Sequence, residues 1–411
     1  FRYWLRFLAS KSKQSNIALS VIVVFTRADQ MNPPKVSSWL SNSIDSLRSH
    51  FQGVIDIVDP LFDVDARKEG SVKAVAECVF IVASEMLRGV QMYKICTQVS
   101  DRLSMHLKTT NERIITWEKF TEIFNNKAKL NAIALSLNEL GTIIYINKIK
   151  HIVLDPNWFC NEIMGSLIHF PKSKISKGTI LFENGCIPQH SLEEKLDFIT
   201  RSKVKGSFLV DLMEAMHMCC KLDPVNHGIP RSNQDFIFVP SMLTDGLGME
   251  QLQWRLKPPP GISDDDYTFL CMGRRLECKD KNLTFLTPGL FPRIQVLFNN
   301  AFQSEEDKPG VMLCKDFISI CFPNKEIIVV FCQSKSYHVI DVLVRAPTNS
   351  QQDVPTTLAY IEKHIINNLI TMCAQPIGIQ GVKLIESVIR PDCLRYPSRA
   401  QDREDQCVEL T

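Results

Sequence analysis

The sequence predicts an α/β protein in which the end of a doubly wound domain is followed by a longer α+β region in two parts. Three observations carry that prediction. Strand and helix patterns alternate through residues 1–90, a helix–helix–hairpin–helix order fills much of residues 91–245, and short β-branched strands dominate residues 246–395. Residues 396–411 are polar and read as a disordered, frayed tail.

The first part is justified element by element. Tyr3, Trp4, Phe7 and Leu8 give Phe1 to Ala9 a helical spacing, and the polar run from Lys11 to Asn16 reads as a loop. Ile17 to Phe25 is nearly continuously apolar, the pattern of a buried strand. Pro33-Pro34 then opens a helix whose Val36, Trp39, Leu40, Ile44, Leu47 and Phe51 recur at steps of three and four. A short strand from Leu61 to Val64 ends in Asp65-Ala66-Arg67. The helix after it, Ser71 to Arg88, sets Val72, Val75, Val79, Val82 and Met86 on one face.

In the second part Met92, Ile95, Val99, Leu103 and Leu107 mark a helix, and Thr116 can cap the next one, Trp117 to Phe124. Helix Ala128 to Leu140 is stopped by Gly141, suited to the left-handed position after a helix. Strands Thr142 to Ile146 and His151 to Leu154 follow, and Asp155-Pro156 caps and opens a helix through Ile168. This order is winged-helix-like. Ser191 to Glu194 reads as a capping box, Leu209, Leu212, Met213, Met216 and Cys220 stripe a helix, and Phe236 to Val239 is a strand. Beyond Gly246, Tyr267 to Cys271, Val311 to Cys314, Phe317 to Phe322, Ile327 to Cys332 and His338 to Val344 read as strands, with helices at Pro288 to Phe298 and Pro355 to Cys373.

Composition excludes several classes. With 47 basic and 45 acidic residues the net charge is +2, so composition builds in no general attraction to nucleic acid or membrane. The apolar stretches fall short of the ~20 residues that a bilayer requires, so no transmembrane segment is predicted. The 14 cysteines are scattered, form no CxxC pair and often sit in apolar runs, which reads as reduced thiols in a cytoplasmic protein. The chain opens on Phe1, already inside a helical pattern, which reads as a fragment of a longer protein with no signal peptide.

The motif that carries chemistry is Thr26-Arg27-Ala28-Asp29, directly after the buried strand. A carboxylate at such a strand end is suited to guanine, the base that offers two adjacent N–H donors to a bidentate acceptor. The plainer reading of Asp29 is a turn or cap residue. No GxxxxGK[ST] occurs, and none of the 17 glycines precedes a lysine, so the chain lacks the amide nest, lysine and magnesium ligand that hold a triphosphate.

Leu137 to Ile168, Phe236 to Leu243 and Phe285 to Phe298 resemble, in order and spacing, segments of the COR domain of Roco proteins, in which COR follows a Ras-like Roc GTPase domain. The texture is most similar to the plant Roco proteins of the TORNADO type, which carry leucine-rich repeats upstream. The resemblance implies the C-terminal portion of a Ras-like doubly wound domain at residues 1–90, then a winged-helix-like first COR half and a β-rich second half. It assigns Asp29 to guanine reading, Arg27 to the base face, Thr26 to the tie with the P-loop where many GTPases have Asn, and the backbone N–H of Ala66 to the guanine carbonyl. It further implies GTP or GDP bound by the parent protein rather than tightly by this fragment, no catalysis by the fragment itself, Roc and repeat partners in cis, and a homodimer through the second COR half.

Competing readings are an adenine-nucleotide STAND-type switch and a nucleotide-independent protein-interaction module. DNA binding by the winged-helix-like part is disfavoured, because helix Ala128 to Leu140 offers only Lys129 beside Lys127. His217, Cys219, Cys220 and His227 lack the spacing of a usual zinc site, and a mostly apolar helix there reads as core. Asp264-Asp265-Asp266 reads as a solvated loop. The apolar strands Ile327 to Cys332 and Val339 to Val344 read as core or, in part, an interface.

Overall fold

A computed structural model describes residues 2–15, 18–26, 33–87, 94–124, 129–147, 149–168, 184–201, 204–222, 235–243, 252–258, 268–281, 283, 284, 286, 289–302, 310–334, 337–347, 359, 361–374, 382–394, 397 and 407–409. The chain is mixed α/β and divides into two compact units. One comprises residues 1–91, 277–287 and 370–385; the other comprises 92–276, 288–369 and 386–411.

The first unit runs α1 (Arg2–Ser15), β1 (Leu19–Thr26), α2 (Pro33–His50), β2 (Ile55–Val64), α3 (Glu69–Leu87). β1 and β2 pair in parallel, Leu19 against Ile55 through Thr26 against Val64. The strand predicted from Leu61 begins six residues earlier, at Ile55. It passes Pro60 because the register shifts between Ile22 and Val24, so a proline with no N–H falls where the ladder is already interrupted. α1 continues through the stretch predicted as a loop, since Ser12 is buried and its hydroxyl donates to the Val54 carbonyl at 2.7 Å. Leu5, Ala9, Ile44, Leu47 and Phe51 close over Val23, Ile55 and Ile57, with Leu283 packed alongside. The side chains of Val36, Trp39 and Leu40 lie outside the described residues.

α3 departs from its predicted face. Val72, Val79 and Met86 are exposed, Phe80 is 73% exposed, and none of its described side chains is buried. The apolar run makes a helix, but the two-stranded β1–β2 sheet buries no side chain of it.

In the second unit, α4 (Lys94–Thr110), α5 (Trp117–Phe124) and α6 (Leu130–Glu139) pack with β3 (Ile114–Thr116), β4 (Ile144–Tyr145) and β5 (His151–Val153), three strands in the order β3-β5-β4. The predicted stops and starts operate here. Thr116 Oγ1 accepts from the Lys119 N–H at 3.2 Å, and Asp155 Oδ1 accepts from the Trp158 N–H at 2.9 Å at the head of α7 (Pro156–Trp158). Gly141 takes φ 70° just after α6, where its N–H and that of Thr142 bond back to Asn138 and Leu137. A π-helical turn, Phe159–Met164, and α8 (Gly165–Ile168) extend α7.

Next come β6 (Asn184–Pro188), α9 (Gln189–Thr200), α10 (Gly206–Ala215), β7 (Cys220–Leu222) and β8 (Phe236–Leu243), the strands ordered β6-β8-β7. Two boundaries differ from prediction. α9 starts at Gln189, so Ser191 lies inside the helix and forms no cap. α10 ends at Ala215, His217 turns left-handed at φ 56°, and Cys220 belongs to a strand because it pairs with Phe238 rather than continuing the helix.

The remaining strands form a seven-stranded sheet, β9 (Phe269–Cys278), β10 (Gly310–Leu313), β11 (Phe317–Cys321), β12 (Glu326–Ser334), β13 (Tyr337–Pro347), β14 (Leu384–Ile389) and β15 (Cys407–Glu409), in the order β10-β11-β12-β13-β9-β14-β15. One face carries Ile328, Val330, Leu343 and Ile389 under Leu252, Trp254 and Leu394. The other carries Phe331, stacked 5.6 Å from Phe291 of α11 (Leu290–Phe302). Ile327 to Phe331 and Val339 to Val344 are all buried, so these stretches are core within one chain, while Cys332, His338 and Arg345 are partly exposed. Cys407–Glu409 is a strand rather than frayed tail: its three residues pair antiparallel with Ser387 to Ile389. Glu326, fully buried, accepts from the N–H groups of Arg255 and Leu256 at 2.6 and 2.9 Å and from the Ser319 hydroxyl at 2.7 Å.

Candidate functional site

The parallel pairing of β1 and β2 decides where the predicted corner lies. Thr26, the last residue of β1, is in register with Val64, the last of β2, and Asp65-Ala66-Arg67 follows at once. Two of the four singled-out residues, Thr26 and Ala66, therefore share the carboxyl end of one parallel sheet, where open α/β folds hold their ligands. Both are exposed. Arg27 and Asp29 lie outside the described residues.

The turn after β2 is tightly bonded. The Asp65 carboxylate accepts from the Arg67 N–H at 3.1 Å, from Arg67 Nε at 2.9 Å and from Arg67 Nη2 at 3.1 Å. The Asp65 carbonyl accepts from the Lys68 N–H and the Ser71 hydroxyl, each at 2.9 Å. The guanidinium and then the backbone N–H of Arg67 hold the Asp65 carboxyl below its ordinary range. The resemblance assigns a role here to the Ala66 amide alone and none to the flanking side chains. An acidic and a basic residue two apart, around a small one, was the available signal.

Elsewhere the chemistry is muted. A cleft of about 900 Å³ in the second unit is lined by residues that include Thr116, Lys150, His151, Lys205, Phe208 and Asp211. His151 meets Phe208 there as a ring contact, centroids 3.9 Å apart, and burial lowers its pKa against the opposing pull of Glu118 and Asp211. Burial pushes the thiols of Cys186 and Cys220 up to about 12 and that of Cys219 well above its usual value, so they stay protonated at neutral pH and are poor nucleophiles and metal ligands. Cys220 instead accepts from Asn299 Nδ2 at 3.2 Å. Among the described residues, no group of three or more His, Cys, Asp or Glu could hold a metal ion, and no helix is long and apolar enough to cross a membrane.

No protein-family model matches the chain. Over an alignment of 444 residues it is 28% identical to Protein TORNADO 1 of Arabidopsis thaliana, covering 99% of this chain and 30% of that protein. The chain thus spans under a third of the length of the curated relative it matches, and the similarity extends over both compact units rather than one motif.

Proposed function

We propose that this chain is the end of a guanine-nucleotide-binding Roc unit followed by a COR region, within a Roco-type signalling or scaffold protein related to TORNADO 1. In that reading Asp29 accepts from the guanine N–H groups, Arg27 lies along the base, Thr26 ties the corner to the P-loop, and the Ala66 amide donates to the guanine carbonyl. The observation that supports it is the register of Thr26 with Val64, which sets Thr26 and the start of Asp65-Ala66-Arg67 at one end of one parallel sheet. The phosphates are held by other parts of the whole protein, because this sequence has no P-loop. The segment itself is therefore not a catalyst.

COR then acts as a coupling element, through contacts that differ between the two nucleotide states. The Roc portion and leucine-rich repeats are its partners in cis, and residues 246–395 supply homodimer contacts. The buried stretches Ile327 to Phe331 and Val339 to Val344 lie inside the sheet core, so such contacts would fall on other residues of this half. The proposed setting is cytoplasmic.

The test is fluorescent-nucleotide binding to the full-length protein. Binding of mant-GDP in preference to mant-ATP, lost on Asp29→Asn, is the outcome this reading requires. Preference for mant-ATP would instead favour a STAND-type switch, and binding of neither a plain interaction module.

A further inference from the structure

We propose that Asp65 is a positioning residue for nucleotide, holding the Ala66 turn in the shape that presents its backbone N–H to the guanine carbonyl oxygen. This inference rests on the guanine reading above. Its physical basis is the way the turn is tied on both sides of Ala66.

Upstream, Val64 is buried and in register with Thr26, so the chain enters the turn from a fixed point. Downstream, the Asp65 carbonyl accepts from the Lys68 N–H and the Ser71 hydroxyl, and the Lys68 carbonyl accepts from the Ser71 N–H at 3.1 Å, so the chain leaves into α3 from a second fixed point. Across the gap, three bonds run from Arg67 to the Asp65 carboxylate and close a loop around the single residue Ala66. An exposed turn otherwise samples many backbone states, and a lone amide donor is useful only if its direction is set before the ligand arrives.

The side-chain geometry suits this role better than a stabilising one. The Asp65 side chain is only 12% exposed while that of Arg67 is 72% exposed, so the pair is open to solvent on one side and screened. Such ion pairs add little to global stability. A planar guanidinium adds direction, because two parallel N–H groups fix the carboxylate plane in a way a lysine cannot. The consequence falls on turn shape, and so on nucleotide affinity, more than on unfolding.

The experiment compares full-length wild type with Asp65→Ala, Asp65→Asn and Arg67→Gln. Each is read by mant-GDP and mant-ATP titration and by hydrogen exchange of the peptide spanning residues 62–72. Asp65→Ala should weaken mant-GDP binding about tenfold, the scale of one charge-assisted hydrogen bond, with faster exchange in that peptide. Arg67→Gln, which removes the fork and keeps the backbone N–H bond, should show a smaller loss. Asp65→Asn, which keeps an acceptor for that N–H, should fall between wild type and Asp65→Ala. Faster exchange with unchanged mant-GDP affinity would overturn the positioning role and leave the guanine reading standing, as would unchanged exchange in Asp65→Ala. A wild type that does not prefer guanine would remove both.

Discussion

Arg275 and Asp341 face each other in register across β9 and β13 as a two-pronged ion pair, Nε to Oδ1 at 2.7 Å and Nη2 to Oδ2 at 2.9 Å, with both side chains almost wholly buried. Burial alone would lower the arginine's pKa, but the facing carboxylate reverses that and leaves it raised. The pair lies on the sheet face that also carries Val330 and Leu343, so each charge is satisfied by the other within an apolar layer.

Removing one partner should therefore be far worse than removing both. Asp341→Ala or Arg275→Met strands a charge in the core and should cost about 3–5 kcal/mol, whereas Arg275→Met combined with Asp341→Leu should recover most of that loss. Urea unfolding followed by circular dichroism gives all three values. A double variant as unstable as the singles would mean that the pair holds the sheet register in a way apolar packing cannot replace.

Gly206 makes a different demand, one of space. A Cβ built there would lie 2.1 Å from the Glu193 carbonyl oxygen and 2.7 Å from its carbonyl carbon, so α10 begins against the backbone of α9. The Gly206 N–H also donates to Asp197 Oδ1 at 2.6 Å. Because the obstacle is backbone rather than a pliant side-chain tip, Gly206→Ala should cost about 3 kcal/mol, the upper end of ordinary overpacking. Thermal melting of the variant tests this, and a melting temperature near wild type would show that the two helices can separate at no great cost.

What the sequence made legible, and what it hid, follows from range. Thr116, Gly141 and Asp155 act through neighbours three or four residues away, and all three operate as read. The apolar pattern of β9 is legible only as far as Cys271, because Arg274, Arg275 and Glu277 break it. Their partners Asp341, Glu386 and Lys281 make those charges tolerable, and two of the three are remote in sequence. The tail strand Cys407–Glu409 was hidden for a similar reason: three residues carry no periodic signal, and β14 supplies the order. Helix α3 is the opposite case, an apolar face that the pattern displayed and that the described neighbours do not bury. At the candidate site, Thr26 and Ala66 were legible as strand ends, whereas the fork from Arg67 to Asp65 required knowing how the turn folds back.

The buried thiols set a limit on the alkaline side. Cys186 and Cys220 have folded-state pKa values raised from 9.0 to about 12, with burial the leading cause. Below pH 9 the thiols are neutral in both states and impose no proton cost on folding. As pH rises from 9 toward 12, the unfolded chain releases these protons while the folded chain keeps them. Each thiol should therefore remove stability at about 1.4 kcal/mol per pH unit over that window, a loss that levels off only above the folded value. Cys186→Val, which keeps an apolar side chain in the pocket and cannot ionise, should unfold with a visibly shallower pH slope between 9 and 12. Thiol labelling of the native chain adds a second readout: the exposed Cys160 should react readily, and Cys186, Cys219 and Cys220 only after unfolding. Equal slopes for variant and wild type, or fast native labelling of Cys186, would show that water reaches this layer of the core.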